Sequence, residues 1–217
     1  MTQTLTAPPG PGRTLALSRG AAAVLVAAPL LVLVSELIAP REPEGLSAAQ
    51  QIRFLSDHSG RLTVSWLVAM VAAGALAAAY VIVATRLTGR GRIVGRVAAV
   101  TGVLGAIGLA GHVVTSLATL DIALDDPTAT AAVTAASEGR AAIAVIPLVV
   151  LGLNLAIVLL AVAAHRAGLA PVWVIVLGVL AFLGDFSPTN YNTVLHALFA
   201  TGVFGLIAGG LARRREV

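Results

Sequence analysis

Long apolar stretches separated by short polar ones dominate the chain. They cover about 20–39, 62–85, 93–120, 141–164, 171–185 and 191–212. A helix rises ~1.5 Å per residue, so about 20 apolar residues span ~30 Å of hydrocarbon. The pattern therefore predicts an all-α polytopic transmembrane helical bundle with six spans. The first run exceeds the ~7–15-residue core of a cleaved signal peptide and is expected to remain as a span. The fifth run is the shortest. Pro171 suits a helix start there, and Asp185 to Asn190 (DFSPTN) reads as a tight turn before the sixth. At 14–16 residues it reaches only ~21–24 Å, so a re-entrant hairpin is the rival reading.

The polar segments have their own structure. Residues 1–18 hold Pro9, Gly10, Pro11 and Gly12 without periodicity and read as a flexible tail, and 213–217 form a basic one. In the first long loop, Ser47 and Gln50 form a capping box ahead of Ile52 and Leu55, which predicts a short helix over 48–56. In the second, Asp126 and Pro127 precede an Ala/Thr-rich stretch ended by Gly139, predicting another over 128–137. Both are expected to be amphipathic and to lie along the outer membrane surface.

Charge orients the bundle. Arg13, Arg19, Arg86, Arg90, Arg92, Arg96, Arg166, Arg213, Arg214 and Arg215 fall on one side, against Arg41, Arg53, Arg61 and Arg140 on the other. By the positive-inside rule the richer side faces the cytoplasm, and six spans place both termini there. The expected location is the cytoplasmic membrane of a bacterium. Composition agrees: 58% of residues are hydrophobic and 11% charged, where a soluble domain carries about a quarter charged residues. Lipid is thus the expected partner. The net charge of +4 comes from arginines scattered between apolar runs, so no nucleic-acid partner is expected.

Several chemistries are excluded. There is no cysteine, so no disulfide, thiolate metal site or thiol nucleophile. There is no lysine, which removes Schiff-base chemistry. No nucleophile-elbow, H-E-x-x-H or nucleotide-loop spacing occurs, and no pair of aspartates lies within the spans. No catalytic residue, metal ligand set or resident cofactor is expected, and the chain does not read as an enzyme.

Ionisable groups within apolar runs are costly and usually face protein or water. Glu36 lies about 6 Å, His112 about 12 Å and His196 about 8 Å below the outer ends of their spans, at ~1.5 Å per residue, with Asp185 at the outer end of its own. These four residues form a candidate outer polar pocket, onto which Asp57 and His58 from the first loop can also fold. Pro147 is expected to kink the fourth span and open the outer end of the bundle. Asn154, deeper, suits an interhelical hydrogen bond. Three readings follow. One is a subunit or a small-solute or proton-coupled carrier working at its outer mouth. A second is a haem-binding electron-transfer protein using His112 and His196. A third is a structural partner of another membrane protein or a second copy. Glycines bear on that last reading. Gly102, Gly105, Gly108 and Gly111 stripe the third span, and Gly205 and Gly209 mark the sixth, as in close-packed helix faces.

The Pro/Gly-rich start, the Arg-Gly turn from Arg86 to Arg96 (RLTGRGRIVGR), the Ala/Asp-rich loop from Asp121 to Arg140 and the terminal Arg213-Arg214-Arg215 together resemble a loose group of small six-span integral membrane proteins from high-GC bacteria. The likeness is compositional and covers nearly the full length. The group has no established activity, so it implies an architecture and no site residue.

Overall fold

The computed structural model describes residues 18–43, 45–126, 128–129, 132–133, 140–186 and 192–213. All regular elements among them are helical. They are α1 (Arg19–Ile38), α2 (Ala48–Asp57), α3 (Ser59–Arg86), a 3-10 turn (Gly89–Gly91), α4 (Arg92–Asp125), α5 (Arg140–Arg166), α6 (Trp173–Asp185) and α7 (Asn192–Arg213). Five of these are long and apolar enough to cross a membrane, and α6 is a shorter apolar helix. The chain has the form of a multi-pass membrane protein.

Local chemistry sets the boundaries. Ser18 caps α1, its hydroxyl accepting from the Ala21 amide at 3.1 Å. Ser47 and Gln50 form the expected capping box on α2. Two turns need glycine at positive φ: Gly89 (59°) after α3 and Gly168 (68°) after α5. Around Gly168 the amides of Gly168 and Leu169 return to the carbonyls of His165 and Ala164, the bond pair that closes a helix in the Schellman manner. The segment expected to be helical over 128–137 lies largely outside the described residues. Thr128 there donates from both its amide and its hydroxyl to Asp126, and these bonds hold the Asp126 carboxyl below its ordinary value.

The six long or apolar helices close into a ring. Each of α1, α3, α4, α5, α6 and α7 packs on the next, and α7 returns to α1. Gly91 lies against Ala163 and Ala167, and Gly210 against Leu169. The turns carrying Arg86 to Arg96 and Arg166, and the end of α7 at Arg213, thus share one end of the bundle. At the opposite end the Arg61 guanidinium donates to the Ile38 carbonyl at 2.9 and 3.2 Å, satisfying the last turn of α1 where the helix dipole is negative. The interior is one apolar cluster built from all six helices, with Leu25, Tyr80, Ile157, Leu160, Val203 and Phe204 fully or almost fully buried. The outside is apolar as well: Ile93 is 76% exposed, Val100 62%, Leu151 59% and Val176 56%. A surface of this kind needs a hydrocarbon solvent.

The apolar residues Ile52 and Leu55 of α2 are buried against Leu62, Leu120, Ala123 and Val133. The cause is the length of α4. Its 34 residues extend ~51 Å, so its last turns project beyond a ~30 Å hydrocarbon layer and give α2 a protein wall. α5 continues through Pro147, whose ring is exposed. The buried helix-interior proline is Pro29 in α1, where no amide returns to the Leu25 carbonyl.

Candidate functional site

A cavity of about 90 Å³ lies within the ring and is lined from all six helices: Pro29, Val32, Ser35 and Glu36 (α1), Ala69, Leu76 and Tyr80 (α3), Leu109 (α4), Val149, Leu153 and Asn154 (α5), Asp185 (α6), and Thr193, His196, Ala197, Ala200 and Phe204 (α7). Its two ends differ. Tyr80 and Phe204 meet edge to face with centroids 5.4 Å apart and form an apolar floor toward the arginine-rich end. Glu36, Asn154, Asp185 and His196 form the other part.

Asn154 organises that polar part. One of its amide hydrogens goes to the Val150 carbonyl at 2.7 Å and the other to Asp185 Oδ2 at 2.6 Å. The residue is 1% exposed, and its Oδ1 has no partner. A buried acceptor left unpaired costs about 1–3 kcal/mol, so it marks a place where a donor is missing. His196 sits over α6, with Nδ1 3.2 Å from the Ala181 carbonyl. A carbonyl only accepts, so Nδ1 carries the proton and the neutral ring offers Nε2 as an acceptor. Asp185 interacts electrostatically with both His196 and Glu36. Ser35 lies one position before Glu36. Its hydroxyl donates to Val32 O, and its carbonyl accepts from the Ser65 hydroxyl at 2.9 Å, which pins α1 to α3 beside the carboxylate.

The depth of Asp185 corrects the sequence estimate. It was expected at the outer end of a span. α6 has only 13 residues, about 20 Å of helix. Its last residue is bonded to Asn154, twelve positions from the end of α5 at Arg166, or ~18 Å along the helix. The carboxylate therefore lies deep in the bundle, level with an amide that was assigned a purely structural bond. The break expected at 185–190 lies mostly outside the described residues.

The structure thus brings Glu36, Asp185 and His196 to one cavity and adds Asn154. It does not bring His112. That side chain is exposed and lines a neighbouring groove of about 490 Å³ with Ser35, Glu36, Trp66, Thr115, Ser116 and Thr119. No described cavity is lined by both His112 and His196. Glu36 borders the cavity, the groove and a third pocket of about 210 Å³ beside Arg41, Glu42 and Asn192. Asp57 is exposed, and His58 is turned back on α2, its Nδ1 3.0 Å from Phe54 O. His165 closes the α5–α6 turn through Ala170 O. Among the described residues no three His, Asp or Glu side chains group closely enough to hold a metal ion.

The glycines divide. A Cβ on Gly105 would fall 2.6 Å from the Leu153 amide nitrogen, and one on Gly108 would fall 2.9 Å from that of Val149. A Cβ on Gly152 would fall 2.6 Å from the Gly105 Cα. Gly102 receives the Tyr80 ring, and Gly111 has only ordinary contact with Val145. Gly205 and Gly209, expected on a packed face, have nothing within 4 Å of where a Cβ would stand. Sequence reasoning missed Pro29, Tyr80 and Thr193 as cavity residues. Pro29 and Tyr80 were detectable as a proline and a phenol in mid-span, whereas Thr193 carried no signal.

No family model, curated protein or solved structure matches this chain.

Proposed function

We propose that this chain is a six-span protein of the bacterial cytoplasmic membrane, both ends inside, that binds a small polar solute in its central cavity as a carrier or carrier subunit. One observation carries the reading: four polar side chains from four helices converge on a cavity lined by all six, and one of their acceptors is buried and unpaired. Intramembrane polar groups that face a cavity mark a solute or proton path. Glu36, bordering the cavity and both outer pockets, is placed to control entry from outside. The concentration of arginine at one end supports the orientation. The shorter apolar helix α6 is read as part of the fifth crossing.

The chain has no cysteine, so single cysteines report accessibility without background. Thr193→Cys, at the cavity, is expected to react with a small membrane-impermeant thiol reagent added outside intact cells. Ala106→Cys, buried at 3% exposure, is expected to stay unmodified, and Gly89→Cys to react only after the membrane is opened. An unreactive Thr193→Cys in a folded protein overturns the cavity reading. A Gly89→Cys that reacts from outside overturns the orientation.

A further inference from the structure

The polar groups at the outer part of the cavity offer mostly acceptors. Asn154 spends both amide hydrogens on Val150 and Asp185 and leaves Oδ1 unpaired, at 1% exposure. The carboxylates of Asp185 and Glu36, when ionised, only accept. His196, with its Nδ1 hydrogen on Ala181 O, offers a lone pair at Nε2. The Thr193 hydroxyl donates to Asn192 Oδ1 at 3.3 Å. Among the described residues no arginine lines the cavity. The occupant that completes this set brings several donors and a positive charge, which excludes an anion and leaves a neutral acceptor without partners.

Size and shape narrow the class. About 90 Å³ equals three waters at ~30 Å³ each, so the occupant has only a few non-hydrogen atoms. A bare divalent cation calls for about six oxygens at ~2.0–2.6 Å, whereas among the described residues no three His, Asp or Glu side chains group that closely. The remainder of the wall is apolar: Val32, Leu76, Leu109, Leu153 and the Tyr80–Phe204 floor. An ammonium has three hydrogens to give, and a short alkyl group suits that floor.

We infer that the central cavity takes a small primary alkylammonium ion, its head donating to Asn154 Oδ1 and the carboxylates of Asp185 and Glu36, its alkyl end toward Tyr80 and Phe204. The inference rests on the solute-cavity reading and adds the chemical class. It predicts selectivity for charge over shape, because a neutral or anionic molecule of equal size leaves the half-buried carboxylates without a counter-charge.

The test is thermal unfolding of the full chain in detergent micelles, titrated with ethylammonium chloride at ionic strength held constant with sodium chloride. Acetamide and sodium acetate serve as neutral and anionic probes of similar size. Ethylammonium is expected to raise Tm saturably and the other probes not. Asp185→Asn and Glu36→Gln, two variants so that one misfolding does not end the test, are each expected to weaken the apparent Kd about tenfold or more. His112→Ala, in the neighbouring groove, is expected to leave it unchanged. Equal stabilisation by ethylammonium and sodium, or wild-type affinity in both carboxylate variants, overturns the inference. Saturable binding of acetamide or acetate without ethylammonium overturns the ammonium class and leaves the solute cavity standing. If no probe binds and Thr193→Cys is also unreactive, both fall.

Discussion

Helix α5 faces two different neighbourhoods within one turn. At Gly152 it meets Gly105 of α4 with backbone against backbone, and two residues later, at Asn154, it meets α6 through a side-chain hydrogen bond beside a void. Lipid tails are as apolar as the side chains they replace, so helices in a bilayer associate through close packing and through polar bonds. The α4–α5 seam uses the first means and the cavity wall the second. Dispersion in the seam acts across a continuous surface and tolerates no gap. The polar wall tolerates a gap, because its bonds are few and directional and one acceptor is unpaired. The seam is suited to hold a fixed shape, and the cavity side, with its 13-residue α6, to change one.

The seam gives the largest expected effect. Gly105→Leu sets a branched side chain against the Leu153 amide and the Gly152 backbone, which cannot yield as the Leu153 side chain beside them can. Overpacking a core costs about 1–3 kcal/mol and at times more. Because the obstacle is backbone, the expected loss is about 3 kcal/mol or more, read as a large fall in the denaturant midpoint or as failure to accumulate in the membrane. A loss below about 1 kcal/mol would mean that α4 and α5 slide apart easily, and the contrast with the cavity would vanish.

The cavity wall gives a smaller and reversible effect. Asn154→Leu removes the donor to Asp185 and leaves a half-buried carboxylate without that partner. The expected loss is about 1–2 kcal/mol, the upper range for interhelical polar bonds in membranes. The double variant Asn154→Leu with Asp185→Leu removes both partners and is expected to regain stability, since a buried polar pair replaced by apolar residues is often neutral. A double variant as unstable as the sum of the two single ones would show that the pair does not act as a unit.

Sequence reasoning reached the two neighbourhoods unequally, for reasons of periodicity and depth. The glycine stripe was visible because helical spacing puts Gly102, Gly105 and Gly108 on one face. The partner Gly152 was not, because a single glycine in an apolar run has no period. Glu36, Asp185 and His196 stood out because charge inside an apolar run is conspicuous. Their convergence was estimated by counting residues from span ends. That count admitted His112, since depth along a helix says nothing about which way a side chain turns. It also placed Asp185 too far outward, because α6 was assumed to begin and end at the membrane surfaces. Asn154 was legible as polar, and its bond to Asp185 was not, because it joins helices 31 residues apart in sequence.

The sharpest form of the comparison is a substitution expected to do almost nothing. Gly205 and Gly209 lie about one helical turn apart, as neighbouring seam glycines do, yet a Cβ at either meets nothing within 4 Å. Gly205 is exposed on α7, on a bundle whose outer surface is apolar throughout. Gly205→Leu therefore adds a side chain directed at lipid and exchanges a poor helix former for a good one, a change of about 1 kcal/mol at most and in the stabilising direction. The identical change at Gly105 and Gly205 should then differ in sign as well as size when both are unfolded under one condition. A destabilised Gly205→Leu that also runs as a smaller particle than the parent would locate a second copy of the chain on this face. The rule that glycines mark the seam would then concern assembly as well as the fold of one chain.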